Sequence, residues 1–458
     1  MKDDHRNAKS RVATACSAAL LGGALVFASS AAHSNELSSH ASAVNMPPSA
    51  ASPLATHVTP MFVSFGFDDN TEVAGLEWVM ALLESYQNPP GMDQFASQPL
   101  KASFFMHCQP VEANEPVKAL WRKLVAQGHD IGNHTYTHPD DKVNYNPLQS
   151  WMTAEQWQEE VNRCDALLTA DVEDGGIGVD EVSGFRAPFM TYNDNTLKAV
   201  VESGIRYDVS FPAGSTAEQT GTNNYWPFTL DNGSPSHQMA VAGGWKPAIN
   251  NYPGLWEVPL HTLIVPPDSE MDRFGLDYSL RDKIASRISY FDPVSGKGDN
   301  FDWNLYSTPD WGAAGLSEDD VVAIYSYNLD LRLAGNRAPL VLGLHSAFYG
   351  LLNGGEHWGM PETTVASRQN VLKRFIDYAL SKPQVRFVSH EQLIDWMVEP
   401  EPLTLCPSGP WQPHVVYLKG QTADYQGKLW QAKWWTQLEI PGLTAYSPWE
   451  EISACTER

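Results

Sequence analysis

The sequence predicts an α/β fold, a parallel sheet or barrel, followed by a small C-terminal β module. Three observations point there. Short apolar runs alternate with helical stretches from Met61 to Val398, as expected where parallel strands are joined by crossover helices. The polar residues able to do chemistry fall just after the apolar runs, where strands of such folds end. Beyond Cys406 the composition changes, and Trp411, Trp430, Trp434, Trp435 and Trp449 crowd into the tail.

The chain begins with Lys2, Arg6, Lys9 and Arg11, then an apolar run from Val12 to about Ala28, then small residues. Basic, apolar, small is the order of a secretory signal peptide, expected over residues 1–34. Residues 35–57, rich in Ser, Ala and Pro, read as a flexible lead-in. No later stretch is long and apolar enough to span a bilayer.

The first strand, Met61–Phe65, runs into Gly66-Phe67-Asp68-Asp69-Asn70, and a helix follows over about Val73–Tyr86. A strand at Ala102–Met106 and a helix at Val117–Gln127, stopped by Gly128, come next. The strand His129–Gly132 opens into His134-Thr135-Tyr136-Thr137-His138. A helix at Ala154–Thr169, the stretch Val182–Pro188, a helix near Asn195–Glu202 and a strand near Arg206–Ser210 continue the alternation. Residues 212–335 are less regular and read as long insertions over the site, with Leu255–Leu260 as one ordered piece. The rhythm resumes with the strand Leu340–Leu344 before His345, a helix at Thr364–Leu380, a strand at Arg386–Ser389 and a helix at Glu391–Val398. A catalytic domain over 58–398, a linker over 399–405 and a module over 406–458 are expected.

With 458 residues the chain can bury a large core without help. Its net charge of −24, from 30 Lys+Arg against 54 Asp+Glu, argues against nucleic acid and anionic membrane surfaces as partners. After the signal peptide four cysteines remain, Cys108, Cys164, Cys406 and Cys455, which allow three connectivities. Cys406 and Cys455 bracket the tail and are expected to pair, leaving Cys108 with Cys164; free buried thiols are the alternative.

Two histidines four apart, with adjacent carboxylates upstream, can converge on one point. Imidazole and carboxylate suit a zinc-like divalent ion with an open coordination position. Asp68, Asp69, His134, His138, Arg186 and His345 all stand at strand ends. Alone, a pair of histidines at this spacing is as often two unrelated surface features.

Taken together and in order, these residues resemble the NodB-homology polysaccharide deacetylases, carbohydrate esterase family 4. Five motifs carry the resemblance: Phe65-Gly66-Phe67-Asp68-Asp69-Asn70, His134-Thr135-Tyr136-Thr137-His138, Arg186-Ala187-Pro188-Phe189-Met190, Trp256-Glu257-Val258-Pro259 and Leu342-Gly343-Leu344-His345-Ser346. Trp226–Asp231 and Pro253–Pro259 are similar to the chitin deacetylase branch with long insertions. The resemblance implies a distorted (β/α) barrel and one divalent metal ion, zinc, held by Asp69, His134 and His138. It also implies Asp68 as general base, Arg186 as its partner, His345 as general acid, and Phe189 and Trp256 as walls for a sugar ring. Four positions depart from the usual family pattern: Gly66, Asn70, Gly343 and Ser346. They suggest a differently shaped acetyl pocket.

The run Tyr425–Thr436 resembles a family 5/12 chitin-binding module, with Trp434 and Trp435 as sugar platforms. Neighbouring residues of a strand face opposite ways unless a turn intervenes, so both need not be exposed. The expected protein is a secreted, monomeric N-deacetylase of chitin or chitooligosaccharides, in the extracellular space or periplasm. A deacetylase of peptidoglycan or acetylated xylan, or a non-catalytic chitin-binding protein, are the alternatives.

Overall fold

The computed structural model describes residues 54, 56–91, 93–142, 150–244, 246–403, 409–426, 428–444 and 446–454. The expected signal segment, nearly all of the lead-in, and both Cys406 and Cys455 lie outside the described residues.

Strand β1 (Met61–Asp68) is buried at every position. Its run of Phe62, Val63, Phe65 and Phe67 is what a parallel strand needs when both of its faces are covered. Helix α1 (Val73–Glu84) leads to β2 (Ser103–Met106), and α2 (Glu115–Ala126) follows, capped by the Asn114 side chain. After β3 (Asp130–Asn133) comes α3 (Ala154–Thr169), opened by a reciprocal capping box between Thr153 and Gln156. Then come β4 (Gly184–Phe185), α4 (Asp194–Glu202), β5 (Tyr207–Asp208), β6 (Phe228–Leu230) and β7 (Tyr252–Glu257). The body ends with α5 (Glu318–Ala334), β8 (Leu340–His345), α6 (Val365–Leu380), β9 (Val385–Phe387) and α7 (His390–Val398).

The strands form one sheet in the order β8-β1-β2-β3-β4-β5-β7-β6, with β9 on β1. All neighbours are parallel except β7 and β6. Helices cover the curled sheet, and among the described residues its ends β8 and β6 do not pair. This is the expected distorted (β/α) barrel, and it is incompletely closed.

Residues 212–335 are more ordered than the sequence suggests. They contain α5, a long helix packed against α6 and β8. Its buried positions include Asp320, Ser326, Asn328 and Arg332 beside Val321, Ile324 and Leu329. Polar side chains on the inward faces blur the apolar stripe by which an amphipathic helix is recognised. Asn328, for instance, bonds the backbone of Ile264 through both ends of its amide.

In the tail, β10 (Thr422–Tyr425), β11 (Lys428–Ala432) and β12 (Trp449–Ala454) form the expected antiparallel sheet. A small core of Tyr417, Ala423, Ala432 and Trp449 holds it. No helix among the described residues is long and apolar enough to cross a membrane.

Cys108 and Cys164 form a disulfide between the segment after β2 and α3, so the expected pairing is present. It lies against the turn that follows β3, because the Cys108 amide donates to the Thr135 carbonyl at 3.2 Å. Replacing both cysteines by Ser should lower unfolding stability by about 2–4 kcal/mol, measured by denaturant titration; an unchanged midpoint would mean that the link constrains nothing the fold does not already hold.

Candidate active site

The site is built where β1, β3, β4 and β8 end. Asp69 and Asn70 follow β1 with φ of 65° and 57°, a left-handed turn that Asn and Asp adopt more readily than most residues. The Asn70 amide holds the turn, donating to the carbonyls of Phe67 at 2.8 Å and Phe105 at 3.0 Å. Its oxygen accepts from Ser346 Oγ at 2.8 Å. The turn sends two consecutive carboxylates to different partners.

Asp68 is buried and bonded to Arg186, Oδ1 to Nη1 at 2.6 Å. Arg186 has no exposed surface. Its guanidinium lies over the Phe105 ring at 4.3 Å and donates through Nε to the Val209 carbonyl at 3.3 Å. Burial raises the Asp68 pKa above the usual carboxylate range, and Arg186 only partly offsets it. Asp69 goes the other way. Burial would raise its pKa, but the charges of His138, His345, His134 and His107 outweigh burial and lower it.

His134 and His138 reach Asp69 from a turn, not a helix. Thr135 and His138 have φ of 69° and 57°. The Thr135 amide donates to Asn133 Oδ1 at 2.7 Å, and the His138 amide to Thr135 Oγ1 at 3.1 Å. Asp69 Oδ1 then stands 3.5 Å from His138 Nε2 and 3.9 Å from His134 Nε2.

The residues suit a divalent ion. Asp69, His134 and His138 each offer one ligand atom, and these atoms lie within 4.8 Å of one another. Asp69 Oδ1 is buried without a hydrogen-bond partner, which is costly unless a cation takes its lone pair. His134 Nδ1 lies 2.7 Å from the Arg186 carbonyl, an acceptor, so Nδ1 carries the proton and Nε2 is left as a free lone pair. Burial, with the neighbouring His138, also holds the His134 pKa well down, so the ring is neutral as a ligand must be.

His345 is the register partner of Asp68 across the β1–β8 ladder. Its Nδ1 is 2.7 Å from Asp302 Oδ1, and its amide donates to Asp302 Oδ2 at 2.7 Å. Burial alone would lower the His345 pKa, but the Asp302 carboxylate, aided by Asp69 and Asp68, raises it to about 9. Phe189, with φ of 53°, is 39% exposed, and its ring lies 4.7 Å from that of His138. Trp256 is half-buried against the cluster of Phe62, Tyr207 and Trp226. Trp434 and Trp435 lie in the tail, in the bend after β11 where the strand has ended, and both are exposed, at 51% and 59%.

Two residues at the site escape the sequence reading. Asp302 opens a short helix, Asp302–Tyr306, inside the irregular region, and nothing in its surroundings marks it. His107 follows β2, as the other site residues follow their strands; that placement was a usable signal. Its Nδ1 is 4.0 Å from Asp69 Oδ1, and burial, then the charge on His138, pushes its pKa down to about 4.

Residues 60–207 match the family model described as polysaccharide deacetylase. The chain carries a polysaccharide deacetylase domain. Residues 410–450 match carbohydrate-binding module family 5/12. Chitin deacetylase 8 of Bombyx mori is 22% identical over 346 residues, 75% of this chain and 72% of that protein. Endoglucanase A of Evansella cellulosilytica is 45% identical over 42 residues, 9% of this chain and 8% of that protein. Among solved structures, the Xyl-CE4 domain of a multidomain xylanase from the hindgut metagenome of Trinervitermes trinervoides is 14% identical, with a TM-score of 0.31. That match covers 73% of this chain and 90% of the xylanase domain.

The role of the buried Asp302 is testable apart from any activity. Asp302→Asn removes the largest cause of the raised His345 pKa. In the metal-free protein that pKa should fall by about 1–3 units, followed by NMR titration of the His345 ring; an unmoved titration would mean that Asp302 is no charge partner of His345.

Proposed function

We propose that this chain is a secreted, zinc-dependent N-deacetylase of chitin or its oligomers, converting N-acetylglucosamine units to glucosamine and acetate. One observation carries the reading. Two adjacent carboxylates are split by their surroundings, Asp68 bonded to Arg186 and Asp69 left open toward the ring nitrogens of His134 and His138. Hydrolysis of an unactivated amide needs that division between a base and a ligand.

Asp69, His134 and His138 would hold the ion, which would polarise a carbonyl oxygen as a Lewis acid. Asp68 takes the proton from the attacking water as its oxygen bonds the acetamide carbon. Burial, which raises its pKa, makes it a stronger base than an exposed carboxylate. Arg186 keeps the Asp68 carboxylate aimed. His345, charged below about pH 9 through Asp302, passes a proton to the amide nitrogen as the C–N bond breaks. Acetate leaves and the sugar keeps a free amine. Phe189 offers an apolar edge beside His138 for the sugar ring, and the half-buried Trp256 is the second candidate wall.

The domain over 58–398 does the chemistry, 399–405 links, and 406–458 binds the polymer. Exposed indoles at Trp434 and Trp435 suit stacking on sugar rings. The basic-apolar-small N-terminus and the Cys108–Cys164 disulfide agree with export to an oxidising compartment.

Asp68→Asn should keep the bound metal and lose about 10²–10⁴-fold in acetate release, scored beside metal content on the same preparation; near-normal turnover would take the base role from Asp68. Trp434→Ala and Trp435→Ala should each weaken binding to insoluble chitin, by about 1–3 kcal/mol if a sugar ring stacks as a nucleobase does, and leave hydrolysis of short soluble oligomers unchanged. Equal losses on both substrates would exclude a pure tethering role.

A further inference from the structure

Arg186 has one nitrogen that its contact with Asp68 does not explain. Nη1 donates to Asp68 at 2.6 Å and Nε to the Val209 carbonyl at 3.3 Å, but Nη2 is buried without a hydrogen-bond partner. His390, the first residue of α7, is also fully buried, and its Nε2 is likewise without a partner. The two side chains meet over Gly66. A Cβ there would lie 2.8 Å from Arg186 Nη2 and 2.9 Å from His390 Cε1.

The proton on His390 can be placed from its other neighbours. Asp130 Oδ2 accepts from Tyr207 Oη at 2.5 Å and from the Glu391 amide at 3.2 Å. Ser103 Oγ, 2.5 Å away, likewise donates its hydrogen to that oxygen. Ser103 Oγ then accepts from the His390 amide at 2.7 Å, and its remaining lone pair faces His390 Nδ1 at 2.6 Å. Nδ1 must carry the hydrogen. Nε2 is left as an acceptor beside an unpaired Arg186 donor, the arrangement that a buried guanidinium needs for all of its N–H groups.

We propose that His390 is a positioning residue for the deacetylation centre, accepting from Arg186 Nη2 through its Nε2 by way of one buried water. The chain Asp130–Ser103–His390–Arg186–Asp68 runs from the barrel interior to the base. It fixes the plane of the guanidinium and so the direction of the Asp68 carboxylate. Gly66 is required because any side chain there would occupy the junction. The inference rests on the deacetylase reading for its consequence, but not for its geometry.

The geometry is read first, without any turnover. Ring-nitrogen chemical shifts of His390, assigned by difference from His390→Gln, should show Nδ1 protonated and Nε2 as a hydrogen-bond acceptor. A ring protonated at Nε2 overturns the proposal whatever the protein does to sugars. The consequence is read in kinetics on soluble chitin oligomers. His390→Phe keeps the bulk and removes the acceptor; kcat should fall about 10- to 100-fold, with KM and bound metal per chain unchanged. His390→Gln, which restores an acceptor near the Nε2 position, should recover most of that loss. Should His390→Phe fail to fold, Ser103→Ala leaves the ring and releases its tautomer, and should give the same split at smaller amplitude. Equal losses in the Phe and Gln variants, or a loss carried by KM or by metal content, would make His390 a packing residue and end the proposal.

Discussion

Two carboxylates side by side in sequence must not behave alike, and the site depends on keeping them apart. On a regular strand Asp68 and Asp69 would point to opposite faces, one of them away from the chemistry. The left-handed turn at Asp69 and Asn70 instead returns Asp69 to the barrel mouth. Asp68 stays on the strand's inward face, where the buried Arg186 meets it. A backbone conformation uncommon for non-glycine residues costs on the order of 1–3 kcal/mol and survives only where the surroundings hold it. Here the Asn70 amide holds it, with three side-chain hydrogen bonds to β1, β2 and the residue after β8.

The same device recurs on the facing strand end. Thr135 and His138 also have positive φ, as does Phe189 in the segment after β4. Irregular backbone lets imidazoles four residues apart converge without a helix between them. The disulfide and the Asn133 side chain hold that second turn as Asn70 holds the first. Strain gathered at several strand ends, each braced by its own hydrogen bonds, is the physical content of preorganisation in this barrel.

Much of this was legible in the sequence. Strand–helix alternation gave β1, β2, β3, β5, β8 and β9, since apolar runs buried on both faces have few other uses, and most of the site residues stand at the ends of such strands. The four departures from the family pattern read only as warnings, yet two of them explain each other: Asn70 and Ser346 are hydrogen-bonded partners. The other two make room, Gly66 for Arg186 and His390, and Gly343 for the Phe301 ring, whose edge would lie 2.5 Å from a Cβ there. Pairings of this kind are invisible one position at a time. Asp302 was hidden for a different reason. It reaches His345 from an insertion with no periodicity, and a lone aspartate in irregular chain carries no signal until the fold brings it within 2.7 Å. α5 was missed because its buried faces are partly polar. In the tail, adjacent Trp434 and Trp435 could have faced opposite ways; the bend after β11 leaves both exposed.

The central claim is that Asp69, His134 and His138 hold one ion while Asp68, their neighbour, does not. Crystals grown with zinc and measured on both sides of its absorption edge test this directly. A single anomalous peak is expected about 2.0–2.2 Å from Asp69 Oδ1, His134 Nε2 and His138 Nε2, with Asp68 still bonded to Arg186 and outside the coordination sphere. A peak bound by Asp68, or none between the three residues, would contradict it.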